Sequence, residues 1–221
     1  MRRVLSLCFL ATLLGANAVQ SARAQDCSWK QVDVGALISG AGLVDVRALA
    51  PDDVWVIGRR SGESKTLAIH WDGSTWTSTR TPNRHESTVR GVYALDASGP
   101  RNVWAVGFTQ QLPEGDYPGS IGPPEPLIEH YNGEKWSVVT TGLPPDDHGP
   151  VLHDVLVHDK DDVWIVGTRW FDSGRGKALV MHFNGSKWKI VHSGNKPKQE
   201  RSLHVVTSTQ PNTIWAVGNR A

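Results

Sequence analysis

Cysteine is almost missing from this chain of 221 residues, which has only Cys8 and Cys27. Two cysteines cannot make a paired CxxC metal site, and no disulfide framework is available to staple a small core. Charge of one sign is missing too. The 23 Lys and Arg residues meet 22 Asp and Glu, for a formal charge of +1. That balance argues against a general nucleic-acid surface. Long apolar runs are nearly absent as well. The exception is Val4 to Ala16 (VLSLCFLATLLGA), too short to span a bilayer comfortably. It follows Arg2-Arg3 and precedes Ala22-Arg23-Ala24, a small-x-small site. Residues 1–24 therefore read as a secretory signal, and 25–221 as the mature domain, secreted or periplasmic with no membrane span of its own. Cleavage removes three arginines and takes the charge to about −2. It leaves Cys27 as a lone thiol, open to oxidation or to pairing between chains.

What the chain has in excess is tryptophan. There are ten, and eight fall on two recurring phrases. The first is Val54-Trp55-Val56-Ile57-Gly58, which returns around Trp104, Trp164 and Trp215. The second is His70-Trp71-Asp72-Gly73-Ser74-Thr75-Trp76, which returns as His130 to Trp136 and His182 to Trp188. Trp29 reads as the tail of a further copy. Only Trp71 and Trp170 lie outside this register. Repetition at about 50 to 60 residues has to be explained before any single residue is.

Each unit parses into four short strands. Strand A is Leu43–Leu49, Val89–Leu95, Leu152–His158 and Leu203–Thr207, each with a valine three residues in, at Val46, Val92, Val155 and Val206. Strand B is the tryptophan–glycine phrase, apolar at consecutive positions and so buried on both faces. Strand C ends at the histidine, and strand D begins at the second tryptophan. Asp72-Gly73, Asn132-Gly133 and Asn184-Gly185 supply the hairpin turns between C and D. Four-stranded antiparallel units of this kind, repeated and stacked, are blades of an all-β propeller. Tryptophan rings fill the wedges between blades.

The phrases Asn102–Gly107 (NVWAVG) and Leu127–Trp136 (LIEHYNGEKW) resemble those of bacterial secreted β-propeller repeat proteins, related loosely to kelch, WD40 and BNR propellers. The resemblance runs from Trp29 to Gly218. It implies the fold and is silent on activity. The spacer residue of an Asp box is missing from DGSTW, and the paired glycine of kelch repeats is absent. About four repeats are present, and the fourth stops after strand B, about 15 to 20 residues short of the repeat's own period. The sequence thus reads as a piece of a larger ring, or as one whose open blade edge is closed by another chain.

The tight A–B and C–D turns share one face of such a fold, and the variable B–C and D–A loops share the other. Binding residues concentrate on variable loops carried by a rigid scaffold. The candidates there are Trp170, Phe171 and Asp172 in one loop, Tyr117 in the longest, and Arg84, His85, Asp146 and His148 in the D–A loops. His70, His130 and His182 recur in every unit, so a structural hydrogen bond explains them better than catalysis does; Asp53, Asn102 and Asp162 are the matching partners. WD40 blades use a comparable Asp–His network.

No nucleophile elbow, HExxH, P-loop or cofactor motif is present. The leading reading is a non-enzymatic exported module that binds a protein or a glycan on its loop face. A competing one is a glycoside hydrolase or lyase on the central axis, drawing on Asp45, Arg47, Arg90, His153, Asp154 and His204. A third is an assembly or stability factor for an envelope complex, as in propellers resembling photosystem assembly factors.

Overall fold

In a computed structural model, the described residues are 30–60, 66–82, 88–111, 123–142, 149–170, 176–191, 201–210 and 213–220. They form fourteen strands and one short 3-10 turn, Gly35–Ile38. Blade 1 is β1 (Ala41–Ala50), β2 (Asp53–Arg60), β3 (Thr66–Trp71) and β4 (Trp76–Thr79). Blade 2 is β5 (Thr88–Gly99), β6 (Asn102–Gln111), β7 (Glu125–Tyr131) and β8 (Trp136–Val138). Blade 3 is β9 (Pro150–Asp159), β10 (Asp162–Trp170), β11 (Gly176–Phe183) and β12 (Trp188–Ile190). A last sheet holds β13 (Arg201–Gln210) and β14 (Thr213–Arg220). Every pairing is antiparallel and between chain neighbours. The first strands β1, β5, β9 and β13 lie side by side in chain order, which is the propeller arrangement.

The first strand of each sheet carries a bulge at the same place. Val44, Tyr93, His153 and His204 are each skipped in the pairing with the second strand. The bulge pushes the strand's backbone towards its neighbour and accounts for the glycine that ends each tryptophan phrase. A Cβ on Gly58, Gly107, Gly167 or Gly218 would come within 2.3, 1.9, 2.2 or 1.8 Å of a carbonyl oxygen on the bulged strand. The strand pairing corrects the sequence register. Val92 pairs with Gly107 as Leu43 pairs with Gly58, so Leu95 and not Val92 is the counterpart of Val46. The Val89–Val92 spacing imitated Leu43–Val46 one turn of the pattern too early.

The hairpins close on paired aromatics: Trp71 with Trp76, Tyr131 with Trp136, Phe183 with Trp188. Gly73, Gly133 and Gly185 take positive φ. The residue before each glycine holds the turn with its side chain. Asp72 Oδ1 accepts the amides of Ser74 and Thr75, both at 2.8 Å, and Asn132 and Asn184 do the same in their blades. These amides hold the Asp72 carboxyl far below its ordinary range.

The core lies in the seams between sheets. Trp55 packs against Tyr131 and, edge-on, against Trp136 of the next blade. Trp104 meets Phe183 and Trp188 in the same way. Trp55 and Trp104 are buried, whereas Trp215 in β14 is 62% exposed. Trp55 and Trp104 each fill the seam to the next blade. Trp29 lies outside the described residues. The 3-10 turn packs Leu37 and Ile38 against Val56, Leu67 and Ile69 of blade 1.

Candidate functional site

Three sets of side chains are candidates for chemistry, and geometry separates them. The first is the repeated histidine. His70 Nε2 lies 2.8 Å from Asp53 Oδ1, His130 Nε2 2.9 Å from Asn102 Oδ1, and His182 Nε2 2.8 Å from Asp162 Oδ1. Each imidazole packs on its own blade's tryptophan, with centroids 4.1 to 4.3 Å apart, stacked in blades 1 and 3 and tilted in blade 2. The Trp104 and Trp164 indoles donate to the same Asn102 and Asp162 oxygens. The rings are half-buried rather than sealed in the core. Burial pushes Asp162 up, but hydrogen bonds from His158, His182 and Trp164 outweigh it and hold the carboxyl below its ordinary value. Burial lowers His130.

The second set is the acidic group near the axis. Asp45 accepts the Val46 amide with one oxygen and, with the other, the Leu95 amide of the next blade, both at 2.8 Å. Asp154 repeats this with Val155 at 2.9 Å and Val206 at 2.7 Å. The second blade has Ala94 at this register, and Asp96 takes over from two residues further along, accepting Val157 N–H at 2.7 Å. Each blade thus grips the next one's first strand through a carboxylate. Arg47 reaches Asp96 at 2.9 Å, between blades 1 and 2. His158 adds a further link, with Nδ1 3.0 Å from Asp162 and Nε2 hydrogen-bonded to Ser208 Oγ of β13. Burial raises Asp96 and Asp154, against the pull of the amides they accept. Two of the residues proposed from sequence for axial acid–base work, Asp45 and Asp154, are therefore spent on backbone amides. Arg90 pairs with Thr109 in the sheet.

The third set is the bulge row. A bulge turns its residue out of the sheet, and the shared position brings bulges of successive blades together. Tyr93 stacks on His153 at 5.8 Å, and His153 meets His204 at 4.9 Å. Phe108 backs Tyr93 at 5.7 Å. Tyr93 is 41% exposed, and His204 is exposed. His153 Nε2 lies 3.2 Å from Thr168 Oγ1. The Thr168 methyl and the Trp170 ring both border Gly176, where an added Cβ would meet them at 2.9 and 3.5 Å. Trp170 ends β10 and is 39% exposed. Burial, with the His204 charge, lowers His153. The row lies in the half of each first strand nearer the D–A loops. His153 and His204 were named from sequence as polar axis residues. Tyr93 and Phe108 were missed, because nothing in a linear reading says that residues about 50 apart share one bulge level.

Of the loop residues named from sequence, Trp170 alone is described. Phe171, Asp172, Tyr117, Arg84, His85, Asp146 and His148 lie outside the described residues. Among the described residues no group of three His, Cys, Asp or Glu could hold a metal, and no helix is long and apolar enough to cross a membrane. The opposite face, treated as plain turns in the sequence reading, holds a pocket of about 620 Å³ between blades 2 and 3.

No family model matches the chain, and no curated protein matches it. It is similar to the solved structure of a fucose lectin from Kordia zhangzhouensis in complex with methyl-fucoside, with a TM-score of 0.41 and 12% identity over 70% of this chain and 100% of that one. It is also similar to YCF48 bound to D1 peptide, with a TM-score of 0.25 and 11% identity over 81% of this chain and 91% of that one.

Proposed function

We propose that the chain is an exported, non-enzymatic binding module that takes a glycan on its loop face. The observation that carries this reading is the bulge row. Tyr93, His153 and His204 line up across three blades, two of them exposed, and an exposed Trp170 ends β10 two residues beyond the Thr168 that His153 meets. Exposed aromatic faces interleaved with imidazole donors and acceptors suit sugar rings, which offer an apolar C–H face and a hydroxyl edge. The neighbouring carboxylates support binding over hydrolysis, because Asp45, Asp96 and Asp154 each hold a backbone amide of the next blade. A glycosidase needs two carboxyl groups free to face the scissile bond.

The test is a glycan array read with the wild-type chain and with Tyr93→Ala and His204→Ala, both exposed positions at which the fold should survive. Retained binding by wild type and loss in both variants is the expected result. Hydrolysis of an arrayed sugar would replace this reading with the enzymatic one. Capture of an envelope protein with no glycan binding would replace the sugar with a protein ligand.

A further inference from the structure

In a repeat protein every blade meets the same structural demands, so a residue that breaks the repetition without repacking the blade is where another demand acts. The seam between blades 2 and 3 breaks it three times around one cavity.

The first break is in closure. At the seam between blades 1 and 2, Trp136 Nε1 donates to Thr79 Oγ1 at 2.9 Å, and the Tyr131 hydroxyl donates to Gly133 O at 3.0 Å. In the next seam Val139 stands where Thr79 stood, and Phe183 stands where Tyr131 stood. Both polar closers are gone, and the buried Trp188 Nε1–H, counterpart of the Trp136 donor, has no acceptor among the described residues. The second break is in spacing. Tyr131 lies 4.8 Å from Trp55, but Phe183 stands back at 5.8 Å from Trp104. The pocket of about 620 Å³ opens here, walled by Trp104, Phe183 and Val139.

The third break is in charge. One residue of each A–B turn lies over its blade's hairpin glycine, so that a Cβ there would strike it at 2.6 to 2.7 Å. In blades 1 and 3 that residue is Asp52 and Asp161; in blade 2 it is Arg101. Two aspartates show that the fold asks for no cation at this place. Arg101 is exposed on the pocket rim and has no ion-pair partner among the described residues. The other cation of the rim, Lys160, is paired with Asp161. The deeper polar groups are already used, since Asn102 Oδ1 accepts both Trp104 Nε1 and His130 Nε2.

An apolar slot with flat walls and one unpaired guanidinium at its mouth selects an apolar ring that carries an anion. We propose that this pocket, on the face opposite the bulge row, binds a small aryl carboxylate. The ring lies in the pocket against Phe183, Val139 and the edge of Trp104, and the carboxylate meets Arg101. The cavity lies within the size range of small-molecule sites.

The test uses 3-phenylpropionate and its neutral amide, titrated by calorimetry and by saturation-transfer NMR. Each variant gives one blade the residue of another, so each should fold: Arg101→Asp, and Phe183→Tyr with Val139→Thr. The acid is expected to bind saturably, about tenfold or more tighter than the amide. Arg101→Asp should remove that preference, and the Phe183→Tyr, Val139→Thr double variant should weaken both ligands about tenfold by closing the slot. Equal binding of acid and amide, affinity unchanged in Arg101→Asp, or no saturable binding of the acid would each overturn the proposal.

Discussion

The two inner seams and the last sheet are built from the same phrase and meet opposite fates. Ile57, Val106 and Val166 are 0% exposed, while Val217, at the same register in β14, is 62% exposed. At the other end Val46 is 47% exposed, although its counterparts Leu95, Val155 and Val206 are buried. Side-chain chemistry is nearly constant along these series. What changes is whether another blade lies against the face. The comparison teaches that the repeat supplies half of an interface, and that burial belongs to the seam rather than to the blade.

The largest expected effect comes from cutting an inner seam. Trp104→Ala should cost about 3–5 kcal/mol in urea denaturation, because it empties a site packed by Phe183 and Trp188. The same change at Trp215 should cost less than about 0.5 kcal/mol. Equal losses would mean that the β14 face is covered in solution and that the two ends of the molecule do not differ in burial.

Next are the carboxylate grips. Asp154→Ala leaves the amides of Val155 and Val206 without their acceptor and should cost about 1–3 kcal/mol. Asp154→Asn keeps one acceptor oxygen and should cost less. Amide hydrogen exchange at Val206 separates the two, with faster exchange expected in the alanine variant. Unchanged exchange would show that the last sheet is held by packing alone. A smaller effect, of opposite sign, should follow from Val139→Thr. Giving Trp188 Nε1 the acceptor that Trp136 has should stabilise the second seam by about 0.5–1.5 kcal/mol.

The smallest effect is in pH. Burial lowers His153 and His130 from the ordinary 6.5, so the unfolded chain takes up protons before the folded one does. Stability should be full above pH 6.5 and fall as the pH drops below it. Asp96 and Asp154 act the other way. Their raised values give a contribution that is complete below the ordinary 3.8 and lost as the pH climbs through the folded-state values. Urea midpoints taken from pH 7.5 down to 5 should therefore decline, and His153→Asn should flatten the decline.

Much of the fold was legible because tryptophan, histidine and glycine mark strand ends at fixed offsets, and each has a local cause. The hairpin glycine needs positive φ, and the phrase-ending glycine clears the bulged strand. The register of β5 was hidden because Val89–Val92 and Val92–Leu95 offer the same three-residue apolar spacing, and only the pairing of Val92 with Gly107 tells them apart. The site was harder to read. His153 and His204 drew notice as polar residues, but Tyr93 lay in an ordinary strand pattern, and its neighbours come from other blades. Arg101 was readable in principle, as the one basic residue among Asp52, Arg101 and Asp161. The variable loops lie on the other face, where seven of the eight candidate residues are outside the described structure.

The carboxylate grips have a direction. In Asp45 to Leu95, Asp96 to Val157 and Asp154 to Val206, the acceptor always belongs to the earlier blade and the donor to the later one. A chain emerging from its N-terminus therefore completes each acceptor before the amide that fills it has been made. Every new first strand arrives at a template already in place, and no finished blade has to reopen to admit it. The molecule can be assembled like a zip, closing in the order in which it is written.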